Sequence, residues 1–267
     1  MEDAVFNRYR RVIREKAGIS LSDKKRALVR GRVSKRMRAL GIDDFGSYLD
    51  RVEEDSSQAE LTELLDAIST NVTRFFREPE HFEFLAEVVS QWRQNGQVKF
   101  RFWSAACSTG EEPYTMAMVL SDVFPDTGID WKILATDIST QVLRTASEGV
   151  YKEKKLEKVD DSRKKRFFRK KRSEGDNLYS VSSKLHQKII FRRLNLSEPP
   201  YPMQGPMDVI FVRNVMIYFD NAVRNRLLKE VYRLLRPNGY LVVGHAESLT
   251  GCLSNFESIR PSIYIKR

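Results

Sequence analysis

Small residues and two carboxylates meet at the end of the first predicted strand. Residues 104–110 read Ser-Ala-Ala-Cys-Ser-Thr-Gly, and Glu111 and Glu112 open the helix that follows. Open α/β sheets bind ligands at the carboxyl ends of their strands. A phosphate would prefer bare N–H groups at a helix start, and the chain has neither a Gly-Lys-Ser/Thr P-loop nor a GxGxxG motif there. The two carboxylates therefore favour a cationic ligand, unless they only complement the helix dipole.

Another acidic residue, Asp137, ends the second predicted strand. It follows the glycine turn by about 25 residues, where nucleoside-binding α/β folds hold ribose hydroxyls. Asp137 or Ser139 could also cap the next helix, and the two roles are compatible. Together with the small residues and carboxylates after the first strand, Asp137 predicts an adenosine-type ligand without phosphates. S-adenosylmethionine fits, because its sulfonium and amino groups are cationic.

Two further segments carry polar side chains that could reach the same ligand. The predicted strand 208–213 runs into Arg213-Asn214-Val-Met-Ile-Tyr218, beside the expected reacting centre. Amino-group methyltransferases often carry Asn/Asp-Pro-Pro-Tyr at this place, which the chain lacks, so exocyclic amines of bases are poor substrate candidates. The polar and aromatic segment 71–77 breaks the helical pattern, and it is either an ordinary linker or the lining of a cleft between domains.

Two kinds of periodicity divide the chain. Apolar residues recur at helical spacing through residues 1–95, which predicts a helical N-terminal part. From residue 98, strand and helix patterns alternate, and near-continuous apolar strands of this kind indicate a parallel sheet. The predicted elements are strands at 98–105, 131–136, 189–193, 208–213 and 240–244, helices at 111–124, 139–148 and 221–236, and one antiparallel edge strand within 255–266.

A basic segment interrupts this alternation at about residues 151–188. Its first part has a helical pattern, and its second part alternates around a Ser-Glu-Gly-Asp-Asn turn at 173–177. This predicts a small insertion with a short antiparallel sheet, a place where partner recognition often resides. The predicted domains are a helical domain, 1–75, and an α/β domain, 76–267, which contains the insertion.

Composition narrows the class of protein. With 267 residues, 41% of them hydrophobic, the chain can bury a core, which excludes a disordered protein. Two cysteines, Cys107 and Cys252, exclude a disulfide scaffold, and both are expected to be free buried thiols. No apolar run is long enough to span a bilayer, and the N-terminus does not resemble a signal peptide. The sequence therefore predicts a soluble cytoplasmic protein.

The net charge of +10 is concentrated in two places. Residues 1–40 contain 13 basic and 4 acidic side chains, and residues 152–172 contain 12 and 4. Two such basic surfaces indicate a polyanionic partner, which could be nucleic acid, an anionic membrane face or an acidic protein. The alternative to a polyanionic partner is a pair of solvated helix faces.

Five motifs, in order along nearly the whole chain, carry a family resemblance. They are Asn71-Val-Thr-Arg-Phe-Phe-Arg77, Trp103-Ser-Ala-Ala-Cys-Ser-Thr-Gly-Glu-Glu-Pro-Tyr114, Ala135-Thr-Asp137, Arg213-Asn-Val-Met-Ile-Tyr-Phe-Asp220 and Gly244-His-Ala-Glu-Ser248. Together they resemble the chemotaxis receptor methyltransferases, the CheR family. The resemblance implies a class I, Rossmann-like α/β methyltransferase domain with a small inserted β-subdomain, preceded by an all-helical domain. It also implies methyl transfer from S-adenosylmethionine to glutamate side chains of membrane chemoreceptors, forming methyl esters.

The resemblance further implies roles for individual residues. Arg77 and Tyr218 would act where the methyl group is transferred, with Tyr218 facing the incoming carboxylate. The basic segment 24–38 would follow the glutamate-rich cytoplasmic helices of the receptor. The implied cofactor-binding residues are Asn71, Thr73, Arg77, Glu111, Glu112, Asp137, Asn195, Leu196, Arg213 and Asn214, with the closer of the two glutamates left open. The implied substrate-binding residues are Arg26, Arg30, Arg32 and Arg36.

The expected chemistry needs neither a metal nor a general base. His81 and His186 lack any spacing typical of metal ligands. A glutamate carboxylate, with a pKa of about 4.3, is already ionised at neutral pH. The enzyme therefore has to position its substrates, and His245 is expected to be structural. We expect a monomer with no stable nucleic-acid partner and no inserted membrane segment.

Two other functions remain open at this point. A nucleic-acid-binding protein, with or without RNA methylation, would explain the basic segments, although no RNA-binding signature is present. A sensor that binds the cofactor without catalysis is the second, and intact Arg77, Asp137 and Tyr218 argue against it. The sequence leaves open which receptor and which glutamates are methylated, whether a C-terminal receptor pentapeptide serves as a tether, and whether any ligand regulates the enzyme.

Overall fold

The structure is a computed structural model that describes residues 1–69, 71–125, 128–171, 177–249 and 255–267. Cys252 and most of the turn predicted at 173–177 lie outside the described residues. Within these ranges, no helix is both long and apolar enough to cross a membrane.

Four helices form the N-terminal part, as predicted. They are α1 (Asp3–Ala17), α2 (Arg26–Leu40), α3 (Phe45–Glu54) and α4 (Ala59–Ile68). Gly18 and Gly41 end α1 and α2 in the left-handed conformation, with φ of 69° and 68°, which glycine adopts without a steric penalty. The apolar faces of the four helices meet in one core that includes Phe6, Tyr9 and Tyr48.

The α/β part is built on a seven-stranded sheet in the order β6-β2-β1-β7-β8-β10-β9. The first five strands of this order are parallel, and β10 is antiparallel to β8. The strands are β1 (Lys99–Ala105), β2 (Asp130–Asp137), β6 (Ile189–Arg193), β7 (Met207–Val212), β8 (Leu235–Val243), β9 (Phe256–Arg260) and β10 (Ile263–Lys266). The helices are α5 (Glu80–Gln94), α6 (Glu111–Val123), α7 (Thr140–Glu148) and α10 (Asn221–Leu234).

The prediction of a single edge strand within 255–266 was wrong. The segment forms two antiparallel strands, β9 and β10. Pro261 and Ser262 lie between them, and Ser262 has a φ of 62°. Because proline cannot donate a ladder hydrogen bond and a left-handed residue reverses the chain, the apparently continuous alternation folds into a hairpin.

The inserted segment forms its own small sheet, as predicted. Strands β3 (Val150–Lys152), β5 (Leu178–Val181) and β4 (Phe168–Lys171) pair antiparallel in that order, accompanied by helices α8 (Asp161–Phe167) and α9 (Ser183–His186). The buried ring of Phe75 packs edge-on against Tyr151 and Phe168, with centroid distances of 5.1 and 5.7 Å. The insertion thus supports the segment 71–77.

Candidate active site

One cavity lies at the carboxyl edge of the parallel strands, beneath the N-terminal helices. Register brings the strand ends together, because Ala105 of β1 pairs with Thr136 of β2 and with Val212 of β7. Ten of the eleven residues predicted for catalysis or cofactor binding line this cavity, and Glu111 is the exception. The ten are Asn71, Thr73, Arg77, Glu112, Asp137, Asn195, Leu196, Arg213, Asn214 and Tyr218.

The loop after β1 approaches the cavity in a strained conformation. Gly110 has a φ of 94°, and a Cβ there would lie 2.8 Å from the hydroxyl oxygen of Tyr151. Ala106 and Ser108 also have positive φ, at 61° and 49°. Non-glycine residues adopt this region rarely, and such strain concentrates at functional sites. The loop therefore has the geometry of a binding loop that close packing holds in place.

Asp137 is a buried carboxylate held by backbone N–H groups. Its Oδ2 accepts a hydrogen bond from the Ser108 N–H at 2.9 Å, and its Oδ1 accepts one from the Ser139 N–H at 3.0 Å. Ser139, rather than Asp137, caps α7 through the N–H of Val142. Burial raises the pKa of Asp137 above its usual value, and the backbone N–H groups oppose that rise. The remaining lone pairs suit the hydroxyl donors of a ribose.

Arg213 is the centre of a buried charge network. Its guanidinium donates to Glu112 Oε2 at 2.8 Å and to Glu78 Oε2 at 3.0 Å, and it also contacts the carbonyl oxygen of Arg77. Ser104 donates to the other Glu112 oxygen at 2.7 Å. Burial raises the pKa of Glu112, whereas Arg213 lowers it. Two carboxylates around one guanidinium leave net negative charge, which favours a cationic ligand.

Glu111 and Glu112 face different directions, and this separates their roles. Glu111 is fully buried, accepts from Lys155 Nζ at 2.8 Å and from Thr109 Oγ1 at 2.6 Å, and does not line the cavity. Consecutive helical residues point about 100° apart, so Glu112 faces Arg213 while Glu111 faces the insertion. The sequence left open which of the two glutamates is closer to the ligand. In the structure, Glu112 lines the cavity and Glu111 does not.

Asn195 and Leu196 follow β6 and line the cavity on its far side. The Asn195 amide donates to the carbonyl oxygen of Lys16 at 2.7 Å, and its oxygen accepts from Ser197. Leu196 is buried. Asn195 thus joins the loop after β6 to the end of α1, while Leu196 offers an apolar wall of the kind that packs against a base.

Tyr218, Arg77 and Lys25 are partly exposed residues that line the same cavity, and we call their side of it the outer part. The Lys25 ammonium is 4.7 Å from the centroid of the Tyr218 ring. The Tyr218 hydroxyl has no hydrogen-bond partner among the residues that the structure describes. Arg77 donates to the carbonyl oxygen of Val72 at 2.9 Å, and Arg74 also lines the cavity. Together, these three cations and the Tyr218 hydroxyl can receive a carboxylate in this part of the cavity.

Glu247 organises the loop that carries Tyr218, although sequence reasoning gave it no role. Its carboxylate accepts from the N–H groups of Asn214, Gly244 and Met216 at 2.6 to 2.7 Å. Burial raises its pKa above the usual value, against these N–H groups. The only sequence signal for Glu247 was its motif, Gly244-His-Ala-Glu-Ser248. The motif could not reveal the contact with Asn214, which lies some thirty residues earlier in the chain.

The four arginines predicted to bind the substrate have different environments. Arg26 forms an ion pair with Asp3. Arg32 donates to the carbonyl oxygens of Ile68 and Ser69. Arg36 forms a bidentate ion pair with the buried Glu60. Arg30 is exposed, with no ion pair within the described ranges. None of the four lines the cavity.

The structure also brings together Glu78, His81 and His245, whose possible ligand atoms lie within 4.8 Å of one another. Burial and the nearby Arg213 lower the pKa of His81 to about 3. Glu78 is already bound by Arg213 and, at 3.3 Å, by the Asn214 amide. Activity without a metal stays a prediction.

Comparison with known proteins places the chain in a family. Residues 71–265 match the family model described as "CheR methyltransferase, SAM binding domain", and residues 4–69 match "CheR methyltransferase, all-alpha domain". The chemotaxis protein methyltransferases of Salmonella typhimurium and Escherichia coli are 39% and 38% identical over 264 residues, covering 99% of this chain and 90% and 91% of theirs. That of Borreliella burgdorferi is 36% identical, covering 98% and 93%. The chain therefore belongs to the CheR family of S-adenosylmethionine-dependent methyltransferases.

Proposed function

We propose that this enzyme transfers methyl groups to glutamate side chains on the cytoplasmic helices of membrane chemoreceptors, forming methyl esters. The observation that carries the proposal is the outer part of the cavity, where Lys25, Arg74 and Arg77 line the same space as Tyr218, whose hydroxyl has no partner among the described residues. A carboxylate substrate matches this arrangement. A base amine would not need three cations. The family likeness supports the same substrate.

The inner part of the cavity fits S-adenosylmethionine. Asp137 offers acceptors for ribose hydroxyls, Glu112 and Glu78 place negative charge beside Arg213, and Leu196 supplies an apolar wall. When bound, this cofactor supplies a methyl group on a cationic sulfur, which a carboxylate oxygen can attack directly. Asn71, Thr73 and Asn214 also line the cavity, and we assign them to the cofactor.

Catalysis would consist mainly of positioning. Arg77 is fixed by the carbonyl oxygen of Val72, so its remaining N–H groups can orient one carboxylate oxygen and leave the other to react. Tyr218 can donate a hydrogen bond from its hydroxyl to the same carboxylate. A carboxylate is ionised at neutral pH and needs no base, and orientation alone can contribute several kcal/mol, about 7 or more in favourable cases.

The basic surface of α2 would attract the receptor. Lys24, which precedes α2, and Arg30, Lys35 and Arg38 of α2 are exposed and make no ion pair within the described part of the chain. We assign initial capture of the acidic receptor helices to these four residues, and internal support of α2 to Arg26, Arg32 and Arg36. We further propose domains at 1–75 and 76–267, and a monomer that acts in the cytoplasm without a metal or a stable nucleic-acid partner.

The decisive experiment incubates the enzyme with methyl-labelled S-adenosylmethionine and chemoreceptor-containing membranes, followed by treatment with base. Methyl esters of carboxylates release labelled methanol, whereas methylated amines and RNA bases do not. We expect base-labile label on the receptor and none on added RNA. Base-stable label, or label on RNA alone, would contradict the proposal.

A further inference from the structure

Three exposed apolar side chains surround the mouth of the active-site cavity. Leu28 is 39% exposed, Val72 78% and Ile217 46%, and all three line the cavity. They come from separate segments, namely α2, the segment 71–77 and the loop after β7. Single apolar residues on a surface need no explanation, but a group of them around a binding cavity marks a contact surface. We call these three residues the apolar rim.

The apolar rim is held in place by the protein itself. The carbonyl oxygen of Val72 accepts from Arg77 Nη1 at 2.9 Å, and the Ile217 N–H points at Glu247 Oε1 at 3.4 Å. Leu28 precedes Val29, which is fully buried in the N-terminal core. A surface that is ordered before its partner arrives loses less conformational entropy on binding.

Charge around the apolar rim limits the kind of partner. Lys25 and Arg74 line the same cavity as the three apolar residues. An apolar patch within a set of cations fits an acidic helix that also presents apolar or small side chains. On a helix, residues three or four apart share one face, so such side chains can flank a glutamate that enters the cavity.

We propose that the apolar rim binds the apolar side chains one helical turn from the methylated glutamate and thereby selects which glutamate of an acidic helix is modified. The proposal rests on the proposed function, because it takes glutamate in a receptor helix as the substrate. Free cations attract every acidic segment alike. The apolar rim adds a requirement that most acidic surfaces do not meet.

The test compares two triple variants on a purified cytoplasmic chemoreceptor fragment. The rim variant carries Leu28→Gln, Val72→Thr and Ile217→Thr. The control carries Val98→Thr, Ile190→Thr and Ile259→Thr, which alter exposed apolar residues that do not line the cavity. We expect the rim variant to raise KM for the fragment about tenfold, the scale of a lost apolar contact in a pocket. The control should stay within about twofold of the parent enzyme.

A substrate-side change makes the test independent of enzyme folding. After the methylated glutamates are mapped, apolar residues three and four positions away are replaced by asparagine. The parent enzyme should lose kcat/KM on the altered fragment, and the rim variant should show little further loss. Equal losses for both enzymes would overturn the proposal.

Three further outcomes separate this proposal from the proposed function. If the parent enzyme forms base-labile esters but the rim variant and control have equal KM values, the apolar rim has no role in selection and the function stands. If the rim variant instead loses affinity for S-adenosylhomocysteine, the three residues shape the cofactor site, and the proposal is overturned. If the parent forms no base-labile ester, the proposed function itself fails.

Discussion

The inner and outer parts of the cavity are built in opposite ways. Inside, Asp137, Glu112 and Arg213 are buried or nearly so, and hydrogen bonds fix their geometry. Outside, Lys25 and Arg74 are accessible to solvent. Buried charges interact strongly and are costly to leave unpaired, whereas exposed charges are screened and individually weak. The inner part should therefore determine cofactor affinity, and the outer part the orientation of the substrate carboxylate.

The largest effect is expected from Arg213→Met. The substitution leaves Glu112 and Glu78 close together without their shared cation, and breaking a buried ion pair costs about 3–5 kcal/mol. Urea titration should show a loss of this size in the free energy of unfolding. The matched control is Arg77→Met. Arg77 is partly exposed, and its contact with Glu78 is a long one, with 3.8 Å between Arg77 Nε and Glu78 Oε1. Similar stability in both variants would contradict the buried network.

The next effect concerns Asp137→Asn. Loss of a charged hydrogen bond should weaken binding of S-adenosylhomocysteine by about 1.5–3 kcal/mol, measured by calorimetry. Burial raises the pKa of Asp137, so keeping its carboxylate ionised at neutral pH lowers the free energy of unfolding. This unfavourable effect of the charge disappears as the pH falls through the raised pKa. The variant should therefore lose less free energy of unfolding than of binding. Unchanged affinity in a folded variant would remove Asp137 from the site.

The pH dependence of binding provides a separate check on Asp137. As the pH falls through the raised pKa of its carboxyl group, the parent enzyme loses an acceptor for the ribose hydroxyls. Affinity for S-adenosylhomocysteine should begin to fall at a higher pH than an ordinary aspartate would give. Asp137→Asn should flatten this part of the profile. A profile that is the same in both proteins would assign the titration to another group.

Arg77→Ala and Tyr218→Phe should separate catalysis from cofactor binding. Each should lower the rate of receptor methylation by about tenfold, equivalent to about 1.4 kcal/mol, and weaken S-adenosylhomocysteine binding by less. Tyr232→Phe is the control for Tyr218→Phe. The Tyr232 hydroxyl donates to the backbone oxygen of Arg267, and Tyr232 does not line the cavity. If both variants methylate receptors at the parent rate, the catalytic assignment is wrong.

Exposed cations of α2 should give the smallest effect. Replacing Arg30, Lys35 and Arg38 by glutamine should slow receptor methylation a few-fold at low salt. Parent and variant should converge at high salt, since the Debye length falls from about 10 Å at 0.1 M to about 3 Å at 1 M. Arg36→Gln should instead lower stability, because it leaves the buried Glu60 unpaired. Tight RNA binding that this triple replacement abolishes, with receptor methylation unchanged, would favour the nucleic-acid alternative.

Sequence reasoning worked where strand ends determine position. Asp137 ends β2 and Arg213 follows β7, the two strands that flank β1 in one parallel sheet. The alternation of strands and helices was therefore enough to bring them to the same edge. Sequence reasoning could not resolve positions that depend on the orientation of a helix. Basic residues surround α2, so periodicity could not show that Arg36 faces Glu60 while Arg30 faces solvent. Glu247 escaped notice because its partners are distant in sequence.

The most direct test of the division between the cofactor site and the basic surface of α2 is one calorimetric comparison of S-adenosylhomocysteine binding. It uses the parent enzyme, Asp137→Asn, and the variant with Arg30, Lys35 and Arg38 replaced by glutamine. The structure predicts that Asp137→Asn alone binds more weakly, by about 1.5–3 kcal/mol, while the α2 variant binds like the parent at low and high salt. Weaker binding by the α2 variant, with Asp137→Asn unaffected, would contradict the account.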